Sequence, residues 1–277
     1  MPTDGRALVL GGGGVTGVAW EVGLLHGLAQ YGVDLTVADT VIGTSAGAVV
    51  AAQLTGATPL ADIYAAQINS GPGETPARIG AGLVVRLLVA AAWPGDRRRG
   101  RAWLGRAALR ARTMPEAERR AVIERRVPDR QWPDRRLLVT AVDAETGADV
   151  VFGGDSGVPL IDAVAASCAV PLVWPPVTID GRRYMDGGVR SVANVDLATG
   201  HGRVVVIAPT TSALRRSDRP QTQAAALGVP SIVVTPDAAA RTAIGPNMLD
   251  PARRRAAAHA GHDQAASIAD QIRAIWR

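Results

Sequence analysis

Ser45 stands in Gly43-Thr44-Ser45-Ala46-Gly47, the Gly-x-Ser-x-Gly spacing of a nucleophile elbow. A serine so placed sits on a sharp turn between a strand and a helix. Side chains two positions to either side would collide with neighbouring backbone, which calls for glycine. The following helix points its free N–H groups at the place where negative charge develops. The chemistry would be acyl transfer to a serine hydroxyl. The flanks agree, with Val41-Ile42 before the turn and Ala48-Val49-Val50-Ala51-Ala52 after it. A plain strand-to-helix turn capped by a serine is the competing reading.

A serine hydroxyl is a poor nucleophile until a neighbour takes its proton. Two kinds of neighbour are available. The chain holds four histidines, His26, His201, His259 and His262, and the order Ser…Asp…His could be met by Asp186 and His201. An ordinary α/β-hydrolase, however, places several strands before its elbow, and here one precedes it. Asp186 offers the other solution. It lies in Tyr184-Met185-Asp186-Gly187-Gly188, where two glycines let the chain turn directly after the acid. Its ordinary pKa of about 3.9 makes it a weak base at neutral pH, and burial would raise that value. Asp-Gly is also a common turn pair.

The third motif is Gly12-Gly13-Gly14-Val15-Thr16-Gly17. It satisfies the dinucleotide fingerprint, with Asp34 about 20 residues further on. That acid falls before the next strand and not at its end, where the fingerprint needs it. An oxyanion hole is the alternative: glycines let backbone N–H groups approach a tetrahedral intermediate with no Cβ in the way. A bare strand-to-helix turn is the third reading.

The elements that must position these residues follow from apolar patterning. Ala7 to Leu10 reads as a buried strand, Val18 to Gln30 as a helix, Thr40 to Ile42 as a strand, and Ala46 past Leu54 as a helix. Leu137 to Val142 and Asp149 to Phe152 read as strands around the turn Glu145-Thr146-Gly147. Leu160 to Ala169 should be a helix that stops before Pro171. Val204 to Ala208 and Ser231 to Thr235 read as short buried strands, and Pro251 to Trp276 as a closing helix. This order predicts a three-layer α/β/α fold with a mainly parallel central sheet. Residues 1–277 are expected to form one domain, with a helical cap inserted at 71–127.

Four segments together resemble the patatin-like phospholipases, serine acyl hydrolases with a Ser-Asp dyad. They are Gly12 to Gly17, Gly43 to Gly47, Ala166-Ser167-Cys168-Ala169-Val170-Pro171 and Asp186-Gly187-Gly188, in the family's order and with similar separations. The resemblance implies Ser45 as nucleophile, Asp186 as its base, and Gly12, Gly13 and Gly14 as oxyanion donors. Gly17, Gly43, Gly47, Gly187 and Gly188 would support the motifs, and Ser167 to Pro171 would wall the pocket. It implies hydrolysis of carboxylic esters in phospholipids or related acyl lipids, without a metal or organic cofactor. Acyl transfer through the same acyl-enzyme, or an inactive lipid- or nucleotide-binding homologue, are the alternatives. In one departure, Thr16 stands where the family often carries a basic residue that positions the glycine loop.

Composition sets the outer bounds. The 277 residues are 47% hydrophobic and 20% charged, a globular balance. All basic side chains are arginine, and the formal charge is +5, which favours anionic partners without choosing one. The single Cys168 excludes an internal disulfide framework and multi-cysteine metal sites. No signal peptide or spanning segment is read, so a cytoplasmic protein is expected, peripheral at membranes. Between 78 and 112 an apolar run from Gly80 to Trp93 precedes Arg97, Arg98, Arg99, Arg101, Arg106, Arg110 and Arg112. A solvated helical face, a lipid-facing cap with Trp93 and Trp103 as interfacial anchors, and a nucleic-acid patch compete here. Contact with an anionic membrane through 80–112 is expected, and no nucleic acid.

Overall fold

The fold is taken from a computed structural model that describes residues 3–69, 76–211, 213 and 215–277. Strand β1 (Thr3–Leu10) runs at the centre of one sheet. Its neighbours are β2 (Thr40–Gly43) and β7 (His201–Ile207), both parallel to it. Outside them lie β8 (Ser231–Val234), parallel to β7, and β3 (Arg136–Asp143), parallel to β2. Three antiparallel pairings complete the sheet: β4 (Asp149–Phe152) and β6 (Arg182–Asp186) on β3, and β5 (Val177–Ile179) on β6. The four central pairings are parallel, and their strands read as apolar runs because both faces are covered.

The period of two along each strand divides the interior. Leu8 and Leu10 of β1, with Val205 and Ile207 of β7, enter the larger core. Ala7, Val9, Val204 and Val206 enter the smaller one on the other face. The larger core is roofed by α1 (Gly14–Gln30), α2 (Ala46–Thr55), α7 (Leu160–Ser167) and α10 (Arg254–Trp276). Further out on that side are α3 (Leu60–Asn69) and α9 (Ala238–Ile244). On the opposite face the layer is thin. It consists of α8 (Pro220–Ala226), a 3-10 turn at Val195–Ala198 and α5 (Arg97–Leu109), whose Leu109 packs on Val142 and Met185. The expected three layers and mainly parallel sheet are present.

Between α3 and β3 the chain holds α4 (Ala81–Ala91), α5 and α6 (Glu116–Arg126). They occupy the region expected as a helical cap, of which residues 71–75 lie outside the described residues. The long Arg-rich stretch is broken where Gly95 takes φ +73° and the Asp96 side chain caps α5 through the Arg98 N–H. Trp93 and Trp103, expected as interfacial anchors, lie side by side with ring centroids 5.9 Å apart. Arg97 pairs with Asp218 and Arg101 with Asp149, so these two arginines are bound to the body and not spread on an open face. Among the described residues no helix is long and apolar enough to cross a membrane.

The register places the two candidate catalytic residues side by side. Val139 of β3 pairs with both Gly43 and Phe152, so β2 and β4 lie on opposite edges of β3. Val142 pairs with both Asp149 and Met185, which puts β6 opposite β4 and therefore on the β2 edge. Gly43 ends β2 opposite Val139, and Asp186 ends β6 opposite Ala141, two residues further along. An antiparallel strand thus carries Asp186 back toward the turn at Ser45.

Candidate active site

Ser45 lies between β2 and α2 with φ 53° and ψ −113°, a conformation that costs a non-glycine residue roughly 1–3 kcal/mol. Neighbours hold it there. Its N–H donates to Ser167 Oγ at 2.9 Å, and the Cys168 thiol donates to its carbonyl at 3.2 Å. Thr44 N–H reaches Leu10 O, and Gly47 N–H reaches Gly11 O. The two elbow glycines are steric requirements: a Cβ on Gly47 would lie 2.1 Å from Leu10 O, and one on Gly43 2.5 Å from Ala48 Cα.

Ser45 Oγ donates to Asp186 Oδ2 at 2.7 Å. The other carboxylate oxygen accepts Gly188 N–H at 2.7 Å, and Asp186 N–H donates to Ala169 O. Both side chains are buried, Ser45 at 8% and Asp186 at 5% exposure. Burial pushes the Asp186 carboxyl up to about 6, against the lowering effects of the Ser45 hydroxyl, the Gly188 N–H and the Arg119 charge. A carboxylate with that value is ionised at neutral pH and is a better proton acceptor than an exposed aspartate. Burial, with the Asp186 charge behind it, pushes the Cys168 thiol up to about 12, so it stays a thiol and serves as a donor.

None of the four histidines is hydrogen-bonded to Ser45 or Asp186 or lines the space over them. His201 opens β7 opposite Thr3 and contacts Ala198 O and Thr40 Oγ1, at the end of the strands remote from Ser45. His26 stacks on Tyr64, which contacts His259, and His262 lies against both rings of the stack. That cluster joins α1, α3 and α10. Asp34, the acid a dinucleotide fingerprint would need, accepts the Thr36 N–H and hydroxyl in the loop before β2.

The three glycines expected as oxyanion donors divide. Gly12 N–H already donates to Val192 O at 2.7 Å, so in this structure it anchors the loop and is not a free donor. Its neighbourhood with the serine is direct, since a Cβ there would meet Ser45 Cβ at 3.6 Å. Gly13 and Gly14 N–H have no partner among the described residues. Neither has Ala46 N–H, at the first position of α2. Thr16 is fully buried; its N–H and hydroxyl both point to Met248 O, which ties the loop to the segment before α10. Glycine is also forced at 187, where a Cβ would lie 2.3 Å from Thr140 Oγ1, whereas Gly17 has ordinary room.

A cavity of about 320 Å³ opens over Ser45, walled by Gly14, Ala46, Arg119, Val170, Trp174 and Leu249 among others. Its wall joins aliphatic side chains from α1, α2 and α6 to a charged group on α6, formed by Glu118, Arg119, Arg125 and Arg126. Arg119 is buried with its guanidinium 4.1 Å from the Trp174 ring centroid. No sequence motif points to this cation, which comes from α6 within the expected cap. Asn194 is a second residue that sequence reasoning missed. Fully buried at φ +51°, it directs Nδ2 at Thr44 Oγ1 (2.9 Å), Thr140 Oγ1 (3.2 Å), Ser191 O (2.9 Å) and Gly187 O (3.4 Å). Its Oδ1 accepts Arg190 at 2.6 Å. Thr44 precedes the serine and Gly187 follows the aspartate, so one amide joins both halves of the site. Among the described residues no group of three or more His, Cys, Asp or Glu is arranged to hold a metal ion.

A family model described as patatin-like phospholipase matches residues 8–199, a span that begins within β1 and contains Ser45, Asp186 and Asn194. Among solved structures, VipD from Legionella pneumophila is similar with a TM-score of 0.50 at 14% identity, covering 97% of this chain and 67% of that one. The type III effector protein ExoU gives a TM-score of 0.42 at 15% identity, covering 98% of this chain and 54% of that one. The likeness to VipD is one of fold. The chain spans about two thirds of VipD and about half of ExoU.

Proposed function

The chain belongs to the patatin-like phospholipase family, and from that premise we propose that it is a serine acyl hydrolase. It cleaves carboxylic esters of phospholipids or related acyl lipids through Ser45 and Asp186. The observation that carries this reading is the buried 2.7 Å hydrogen bond from Ser45 Oγ to Asp186 Oδ2 on a strained elbow.

In the proposed reaction Asp186 accepts the Ser45 proton as Oγ attacks the ester carbonyl carbon. The carbonyl oxygen becomes an oxyanion, facing the N–H groups of Gly13, Gly14 and Ala46 at the starts of α1 and α2, where helix dipoles favour negative charge. Collapse breaks the C–O bond to the alcohol half, and Asp186 returns the proton to the leaving oxygen. The acyl-enzyme remains. Water then gives one proton to Asp186 and its oxygen to the acyl carbon; Ser45 leaves, recovers the proton and frees the fatty acid. Every proton transfer passes through the Asp186 carboxylate, so no histidine is needed. Clamping of the Ser45 backbone by Ser167 and Cys168 preorganises the nucleophile.

Substrates of this kind lie in membranes or lipid particles, and the same reading assigns peripheral contact with an anionic membrane to the 80–112 region. The test of the activity is a panel of lipid esters incubated with the protein and resolved by mass spectrometry, with Ser45→Ala as control. Release of free fatty acid by the parent and none by the variant is expected. Equal product from both, or no product across phospholipids, lysophospholipids and neutral glycerides, would remove the hydrolase reading.

A further inference from the structure

Resting on the lipid-hydrolase reading, we infer that the outer face of α4 docks the protein on a bilayer that bears anionic head groups. This narrows the contact expected over 80–112 to the outer face of one helix. The α4 sequence is apolar around most of its circumference. Leu83, Leu87 and Ala90 point inward and pack with Leu104, Val170, Leu172 and Val189. Val84, Val85, Leu88 and Val89 point outward at 44%, 57%, 46% and 41% exposure, with Ile79 at 43% just before them. Their spacing makes one stripe on a helix of 3.6 residues per turn. Five of the eight large hydrophobic side chains exposed among the described residues therefore lie within eleven positions. Hydrophobic residues scattered singly on a surface need no explanation, but a contiguous stripe marks a docking site.

Charge identifies the occupant. From 77 to 112 the chain has nine arginines and one acid, Asp96, whose carboxylate is spent on capping α5. Arg97 and Arg101 are held by Asp218 and Asp149. Arg78, Arg98 and Arg99 are exposed and have no ion pair among the described residues. An aliphatic stripe flanked in the chain by exposed cations has the chemistry of a segment lying in the head-group region, with apolar side chains sunk roughly 5–10 Å and guanidinium groups on lipid phosphates. A protein groove would have to match the stripe with apolar side chains and the rim with acids; a bilayer of anionic lipid does both without a specific fold.

Position adds a functional reason. Val170, against which the inner face packs, also walls the cavity above Ser45. Val189 on the same inner contact lies three residues after Asp186. The inner face of α4 and the cavity over Ser45 thus share a wall residue, Val170, which couples a surface held against α4 to the site through one side chain.

The test uses the full chain with Ser45→Ala, so that vesicles stay intact, and vesicles of phosphatidylcholine alone or with roughly one third phosphatidylglycerol. Co-sedimentation should occur with the anionic vesicles, weaken as salt rises, and be slight with the neutral ones. The triple substitution Val84→Ser, Val85→Ser and Leu88→Asn should lower the partition by about tenfold or more. Arg98→Ser with Arg99→Ser should lower it by about threefold and flatten the salt dependence. With Ser45 restored, the triple variant should hydrolyse a short soluble ester within about twofold of the parent, which shows that it folds, since substitutions at half-exposed positions outside the packed cores are mild. Parent-like partition of the triple variant, or no binding of anionic vesicles by the parent, would overturn the inference. So would sedimentation showing a parent dimer that the triple variant splits, because a second copy would then be the occupant. Vesicle binding by a parent that hydrolyses no ester would sink the hydrolase reading and leave the docking face standing; hydrolysis without vesicle binding would do the reverse.

Discussion

At Ser45 the backbone N–H and carbonyl are clamped by Ser167 and Cys168, and the side chain is buried against Asp186. Along α4, one loop away, four aliphatic side chains face water. The residues 168–173 separate the two regions and touch both, Cys168 on the elbow and Val170, Leu172 and Val173 beneath α4. The elbow spends conformational strain and buried polar atoms to fix one geometry. The helix leaves apolar surface uncovered, which is stable only with something to cover it. Chemistry needs the first arrangement, because a misplaced nucleophile loses rate; delivery of a lipid needs the second.

The sharpest way to break this division is Asp186→Asn. Hydrolysis of a soluble ester should fall about 10³–10⁴-fold, the scale seen when one member of a catalytic unit is lost. Stability should move the other way. Folding raises the Asp186 pKa, so its contribution is full below the unfolded value near 4 and is lost as pH rises through about 6. At pH 7.5 the ionised carboxylate therefore costs up to roughly 3 kcal/mol, two units at 1.36 kcal/mol each, and the amide removes that cost. Chemical denaturation at pH 7.5 and pH 4 checks the sign: the variant should exceed the parent at the higher pH and lose that advantage at the lower.

Asn194→Ala tests whether the hub joins the two halves of the site. Removing a buried amide that contacts Thr44, Thr140, Gly187 and Arg190 should cost about 2–4 kcal/mol of stability. The turnover number should fall by about 10–100-fold with KM within a few-fold, since the cavity wall is unchanged. A variant that loses stability alone would reduce Asn194 to a packing residue.

A smaller effect sharpens the assignment of the base. The kcat/KM for a soluble ester should rise about tenfold per pH unit up to pH 6 and level off above it. The outer-face variants of α4 should follow the same profile, because their substitutions exchange one uncharged side chain for another. A midpoint that moved with those variants would mean that the two regions are electrostatically coupled.

What could be read in the sequence follows the same line. The elbow was legible because its geometry is enforced locally, by glycines at 43 and 47 whose Cβ atoms would strike Ala48 and Leu10. The central strands were legible because burial on both faces writes apolar runs. The hairpin β5–β6 that delivers Asp186 escaped, since its second strand begins Arg182-Arg183 and lacks alternation. Its signal was Asp180-Gly181, both at positive φ (49° and 74°), the pair favoured by a tight hairpin turn. Arg119 and Asn194 escaped for another reason: each acts through partners far away in the chain, and nothing at positions 119 or 194 announces them. The arginines at 97 and 101 looked like an open face because their acidic partners, Asp218 and Asp149, arrive from elsewhere in the fold.

The most direct test of the account is site-resolved labelling with a fluorophosphonate, read by intact mass and peptide mapping. One adduct is expected, on Ser45. Its rate should drop about 10³-fold in Asp186→Asn and stay within about threefold in His201→Ala, His259→Ala and His262→Ala. An adduct elsewhere, no adduct on the folded parent, or loss of labelling in one of the histidine variants would contradict a Ser45–Asp186 pair acting without a histidine.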